Sequence, residues 1–175
     1  MTFRQQLSPA QRHNAITIAT QRYAQCQTWG TAKPDAHYRA DGIRVGNLDD
    51  QIKGAVAEYA FGVMLDYVPT FTPYDPTAND VLGYEIRATF HTGGHLITKP
   101  TDKTGLYVLG VVDQAYWFVD FHGWRRYRET VINLGRLAAC PTRYATPQTE
   151  LWPLDMLPAT PEYVSHRSSM VEIAS

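Results

Sequence analysis

The chain has little cysteine, almost no net charge and no long apolar run, and each shortage excludes a class of protein. Its two cysteines, Cys26 and Cys140, lie far apart and form no C-x-x-C motif. That excludes a disulfide scaffold and fits a reducing cytoplasm with both thiols structural. The formal net charge is -1 and the isoelectric point about 6.6, so no global basic field advertises a polyanion partner. Any nucleic-acid surface must therefore be local. No apolar run approaches the roughly 18 residues of a membrane span. The opening M-T-F-R-Q-Q-L-S-P lacks the apolar segment of a signal peptide, and the expectation is a cytoplasmic protein without a membrane partner. No internal repeat and no linker divide the 175 residues, which suit one domain with a sizeable core. Hydrophobic residues at 44% and charged residues at 19% argue against wholesale disorder.

Two helices open the chain. Ser8-Pro9 is a good helix start, serine as cap and proline in the first turn. The helix is expected to run to about Thr28, with Ile16, Ala19, Tyr23 and Cys26 near one face and Arg12, Gln21, Arg22 and Gln25 mostly elsewhere. Trp29-Gly30 ends it, and Thr31 to Gly46 reads as loop. Asn47 opens the second helix, with Asp49 and Asp50 suiting the macrodipole of its first turn. Ile52, Ala55, Val56, Tyr59, Ala60 and Val63 form its buried stripe. Glu58 lies off that stripe, with Gly54 and Gly62 one turn before and after it. Each glycine costs a helix about 1 kcal/mol relative to alanine, which suggests a close approach at this carboxylate. The plainer reading is a solvated glutamate on a helix packed tightly against a sheet.

A proline-rich connection from Asp66 to Ala78 then delivers the chain to N-D-V-L-G-Y-E-I-R-A-T-F, residues 79–90. Alternation along a strand puts Glu85, Arg87 and Thr89 on one face and Tyr84, Ile86, Ala88 and Phe90 on the core face, with Asp80 at the entrance. Two acidic groups beside a cation could hold a hard divalent metal against a phosphate. After a turn at His91-Thr92-Gly93-Gly94, residues His95 to Lys99 read as a return strand completing a hairpin. Asp102-Lys103-Thr104-Gly105 turns again. Leu106 to Val112 and Tyr116 to Phe121 read as two more strands, followed by Gly123-Trp124 and Arg125, Arg126 and Arg128. Beyond Pro141 the chain is irregular, with Thr146-Pro147-Gln148 at a short turn and Trp152 and Leu154 packing back. The expected domain spans residues 1–164, and residues 165–175 read as a mobile tail.

Glu58 on a helix, Asp80 before a strand and Glu85-Ile86-Arg87 within it resemble the PD-(D/E)XK nuclease superfamily. G-A-V-A-E-Y-A-F, N-D-V-L-G-Y-E-I-R and H-L-I-T-K-P-T-D-K-T-G-L-Y-V-L-G look like small phage-encoded members, over about residues 47–124. Y-A-T-P-Q-T-E-L is a weaker echo. The resemblance implies an α/β fold with a mixed central sheet flanked by helices, and Mg2+- or Mn2+-dependent hydrolysis of DNA. It implies that Asp80, Glu85 and the backbone carbonyl of Ile86 ligate the metal, with Glu58 a ligand or an acceptor behind it. The metal would acidify a water and neutralise charge on the scissile phosphate.

One departure matters: the family's lysine is Arg87 here. Arginine stays charged and cannot act as a base, though it can orient a phosphate. Lys99, on the expected hairpin partner, is a candidate substitute ammonium. Arg125, Arg126 and Arg128, interleaved with Trp124 and Tyr127, could contact a nucleic-acid backbone, or simply solvate a strand end. His91 and His95 straddle a glycine turn and do not reproduce a helical zinc pair. Cys140 has no neighbouring base. Two further classes stay open beside the nuclease: a degenerate module on the same fold that binds DNA or a host protein without cutting, and a structural phage component. Substrate form and oligomeric state stay open too, a homodimer included.

Overall fold

A computed structural model describes residues 2–28, 37–38, 44–45, 48–69, 80–133, 135 and 142–173. The Trp29-Gly30 stop, the Asn47 cap, Asn79, Cys140, the side chain of Cys26 and most of the proline-rich connection lie outside these residues.

Strand β1 (Phe3–Gln6) precedes helix α1 (Pro9–Thr28). The Ser8 hydroxyl accepts from Gln11 N while the Gln11 side chain accepts from Ser8 N, a reciprocal cap that starts α1 where Ser8-Pro9 predicts. Its inner face carries Ala15, Ile18 and Ala19; Ala19 belongs to the expected stripe, whereas Ile16 and Tyr23 are only half-buried. The two alanines let α1 lie close along α2 (Leu48–Met64), and weighting large apolar residues misses Ala15. Arg22, three and seven residues beyond Ala19 and Ala15, is thereby turned inward. Within the loop expected between the helices, β2 (His37–Tyr38) and β3 (Arg44–Val45) form a short antiparallel ladder.

The glycines of α2 serve different ends. A Cβ on Gly62 would meet Pro69 Cγ at 2.6 Å and the Tyr67 carbonyl at 2.9 Å, so the returning backbone requires glycine there. A Cβ on Gly54 would meet only Glu58 Oε1, at 3.9 Å.

The fold is a mixed four-stranded sheet flanked by helices. Its order is β1, β7 (Phe118–Arg126), β6 (Leu106–Val112), β4 (Tyr84–Thr89). β4 runs parallel to β6, while β6–β7 and β1–β7 are antiparallel. One face packs Val56, Ala60 and Phe61 of α2 against Tyr84, Ile86, Val108 and Phe121. The other buries Tyr107 and Leu109 with Leu96. β6 is covered on both faces, which accounts for its unbroken L-Y-V-L-G-V-V.

Three expectations require correction. First, β5 (Leu96–Thr98) does not return along β4; it pairs antiparallel with β8 (Tyr144–Thr146). β6 occupies that side of β4, and β5 instead buries Leu96 and Thr98, the latter hydroxyl 2.7 Å from that of Thr130. Second, β7 extends through Arg125 and Arg126, because Gly123 at φ +142° and a register shift at Leu109/Gly110 let the strand pass the Trp152 backbone. Arg128 follows in α3 (Tyr127–Thr130). Third, the segment read as a tail is helix α4 (Pro161–Ile173). Thr160 Oγ1 accepts from Tyr163 N at its start, and Arg167 and the His166 ring reach Asp66. Among the described residues, no helix is long and apolar enough to cross a membrane.

Candidate functional site

A two-residue hairpin builds the site. Val81 and Tyr84 exchange both backbone hydrogen bonds, and Leu82 and Gly83 turn between them at φ +45° and +84°. Positive φ at both central residues is the turn geometry that matches strand twist. The C-terminal segment braces it: Thr160 Oγ1 donates to the Leu82 carbonyl and the Tyr84 hydroxyl to the Pro158 carbonyl. A two-residue turn sets residue 80 opposite residue 85, so Asp80 and Glu85 share a face.

Asp80 Oδ2 accepts the Ile86 N–H at 2.7 Å, on the edge of β4 that β6 leaves open. Burial and then the charge of Glu58 push the Asp80 carboxyl up to about 6, against the lowering effect of the Ile86 N–H. Burial first and Asp80 second also raise Glu85, which is 5% exposed. Glu58, Asp80 and Glu85 thus form a chain of interacting acids around the start of β4.

Cations accompany each end of that chain. Lys103 Nζ lies 2.7 Å from Glu85 Oε1, and Arg22 Nη1 lies 2.5 Å from Glu58 Oε2. Arg87 Nη1 is 3.8 Å from Glu85 Oε2, Nη2 is 3.0 Å from Asp102 Oδ2, and the guanidinium stacks 5.0 Å over the Tyr107 ring. Burial opposes the charge on Arg87, but Asp102, Asp80 and Tyr107 together outweigh it and its pKa rises. Neither motif spacing nor periodicity marks Arg22, Asp102 or Lys103 as neighbours of these acids. The parallel pairing of β4 with β6 is the signal for Lys103, because it sets the D-K-T-G turn beside the start of β4.

Lys99 is not the substitute ammonium beside Glu85. It follows β5 rather than a partner of β4, its side chain is exposed, and its backbone N–H donates to Asp102 Oδ2. Arg125 stacks over Trp152 at 5.0 Å and lies 3.6 Å from Glu129. Arg126 and Arg128 line a cavity of about 430 Å³ with Thr104, Gly105, Leu106 and Tyr127. A Cβ on Gly105 would lie 3.9 Å from Glu85 Cγ, so one residue lining this cavity also neighbours Glu85.

Among the described residues, no group of three His, Cys, Asp or Glu side chains is arranged to hold a metal, His91 and His95 included. Mg2+ itself commonly takes only one or two carboxylates and keeps its waters. Asp80 and Glu85 fit that donor set: both are hard oxygen ligands, and their mutual repulsion in a buried place is what a divalent charge relieves. No family model, curated protein or solved structure matches the chain, so the nuclease resemblance rests on the motif residues and their placement.

Proposed function

We propose that the protein is a metal-dependent deoxyribonuclease of the PD-(D/E)XK kind. The supporting observation is the opposition of Asp80 and Glu85 across the hairpin, with Lys103 and Arg87 against Glu85. Asp80 and Glu85 hold Mg2+ or Mn2+, and the Ile86 carbonyl leaves β4 on the same open edge as the N–H given to Asp80. The bound ion supplies a water of lowered pKa and neutralises charge on the phosphate. Arg87, kept charged and held by Asp102, orients the phosphate. Lys103 adds a compact ammonium against Glu85, where Arg87 offers a planar guanidinium. Arg126 and Arg128 receive the DNA backbone beyond the scissile position.

The test is cleavage of labelled single-stranded and duplex DNA with Mg2+, Mn2+ or Ca2+. Cleavage that needs Mg2+ or Mn2+ and disappears in Asp80→Asn and Glu85→Gln is expected; activity retained in both places the chemistry elsewhere. The engagement of Arg87 by Asp102 favours a second reading, a module on this fold that binds DNA without cutting. Binding in Ca2+ with no cleavage in any metal selects it. Absence of binding to every DNA form selects the structural role.

A further inference from the structure

We infer that Arg22, carried by α1 outside the motif, is a positioning residue: it holds Glu58 out of metal ligation and sets the site's charge so that the metal-loaded site attracts phosphate. The inference rests on the metal reading above.

Arg22 Nη1 meets Glu58 Oε2 at 2.5 Å, with the two side chains only 19% and 15% exposed. α1 is fixed against α2 by Ala15, Ile18 and Ala19, so Arg22 is delivered to Glu58 by a packed helix face rather than by a wandering side chain. α2, which carries Glu58, packs against β4, and Asp80 is bound to the Ile86 N–H of that strand, so the charge of Glu58 falls on Asp80 and that of Asp80 on Glu85. Among the described residues, the connected groups are four carboxylates, Glu58, Asp80, Glu85 and Asp102, and three cations, Arg22, Arg87 and Lys103. With every one of these groups ionised they carry one net negative charge. One divalent ion turns that to a net positive charge, able to take a phosphate. Without Arg22 the same ion would only neutralise the cluster. Arg22 therefore weakens metal binding and strengthens phosphate binding, opposite effects that a purely structural contact would not produce.

The experiment measures two affinities on the full chain: Mn2+ by isothermal titration, and a fluorescein-labelled oligonucleotide by anisotropy in saturating Ca2+. Arg22→Gln should bind Mn2+ about fivefold to tenfold more tightly and the oligonucleotide weaker by a similar factor. Arg22→Lys should stay near wild type in both. Glu58→Gln should move both affinities the other way, and Arg22→Gln/Glu58→Gln, which restores the charge balance, should return both close to wild type. The last two variants carry the test if Arg22→Gln fails to fold. Affinities that fall together in Arg22→Gln, or do not move, overturn the inference. A double variant as weak for Mn2+ as Glu58→Gln overturns it too, because Glu58 would then be a direct ligand. A wild type that binds no Mn2+ rejects the metal reading itself, whereas Mn2+ binding indifferent to Arg22 rejects only the role of Arg22.

Discussion

Lys103 brings its ammonium within 2.7 Å of Glu85 Oε1 from the loop that enters β6 beside the start of β4. The E-x-R segment of β4 has no lysine of its own, and the loop before its parallel neighbour brings one from eighteen residues further along the chain.

Lys103→Met should therefore reduce single-turnover cleavage by about 100-fold or more, the usual effect of removing one charge-stabilising group from a dry site. Lys103→Arg should recover only part of the loss, since the bulkier planar guanidinium does not reproduce the 2.7 Å ammonium contact with Glu85. Arg87→Lys should be tolerated and Arg87→Ala should not. Quenched-flow rates at saturating Mg2+ check all four, and a wild-type rate in Lys103→Met removes that lysine from the mechanism.

Asp80 makes stability depend on pH in a direction unusual for a carboxylate. Its folded pKa, about 6, lies above the ordinary 3.8, so the folded state binds the proton more tightly than the unfolded chain. This contribution is fully present below about pH 4 and is lost as pH rises through about 6. Asp80→Asn keeps an acceptor for the Ile86 N–H and removes the ionisation. Without metal, the melting temperature of Asp80→Asn minus that of the wild type should widen between pH 4 and pH 7. The corresponding free energy is on the order of 2–3 kcal/mol. A difference that is flat across this range would mean that Asp80 titrates normally.

Three glycines should respond differently to alanine. Gly54→Ala should raise stability by up to about 1 kcal/mol, because its Cβ meets only ordinary contact. Gly62→Ala should destabilise, its Cβ being driven into Pro69 and the Tyr67 carbonyl. Gly83→Ala should lower stability by about 1–3 kcal/mol and also weaken Mn2+ binding, since the turn at φ +84° sets Asp80 against Glu85. Urea unfolding provides the measurement, and equal effects at Gly54 and Gly62 would contradict the packing described.

The arginines after the bulge should separate by role. Arg126→Ala/Arg128→Ala should weaken oligonucleotide binding in Ca2+ and flatten its salt dependence by about 0.7 to 0.9 for each phosphate no longer neutralised. Arg125→Ala should instead lower the melting temperature by removing the stacking on Trp152, with the salt slope unchanged. A salt slope that responds to Arg125 alone reverses this assignment.

What the sequence determined by itself is local. The Ser8-Pro9 start of α1, the apolar face of α2, the strand at 84–89 and the nearness of Asp80 to Glu85 all follow from contacts a few residues long. Caps, periodicity and a two-residue turn need nothing distant to act. The edges of the elements depended on partners. Gly123 carried β7 into the arginines only because the Trp152 backbone passes beside it, and α4 orders where a tail was expected because Asp66, Leu82 and Tyr84 receive its start and face. Only the tertiary structure decided which cation meets which acid. Lys103 rather than Lys99 reaches Glu85 because β4 takes β6 as its parallel neighbour and β5 leaves for β8. Arg22 reaches Glu58 because two alanines turn α1 inward. The reason is physical: a charge placed by strand order or helix packing is governed by residues far along the chain, and neither motif spacing nor periodicity carries that information.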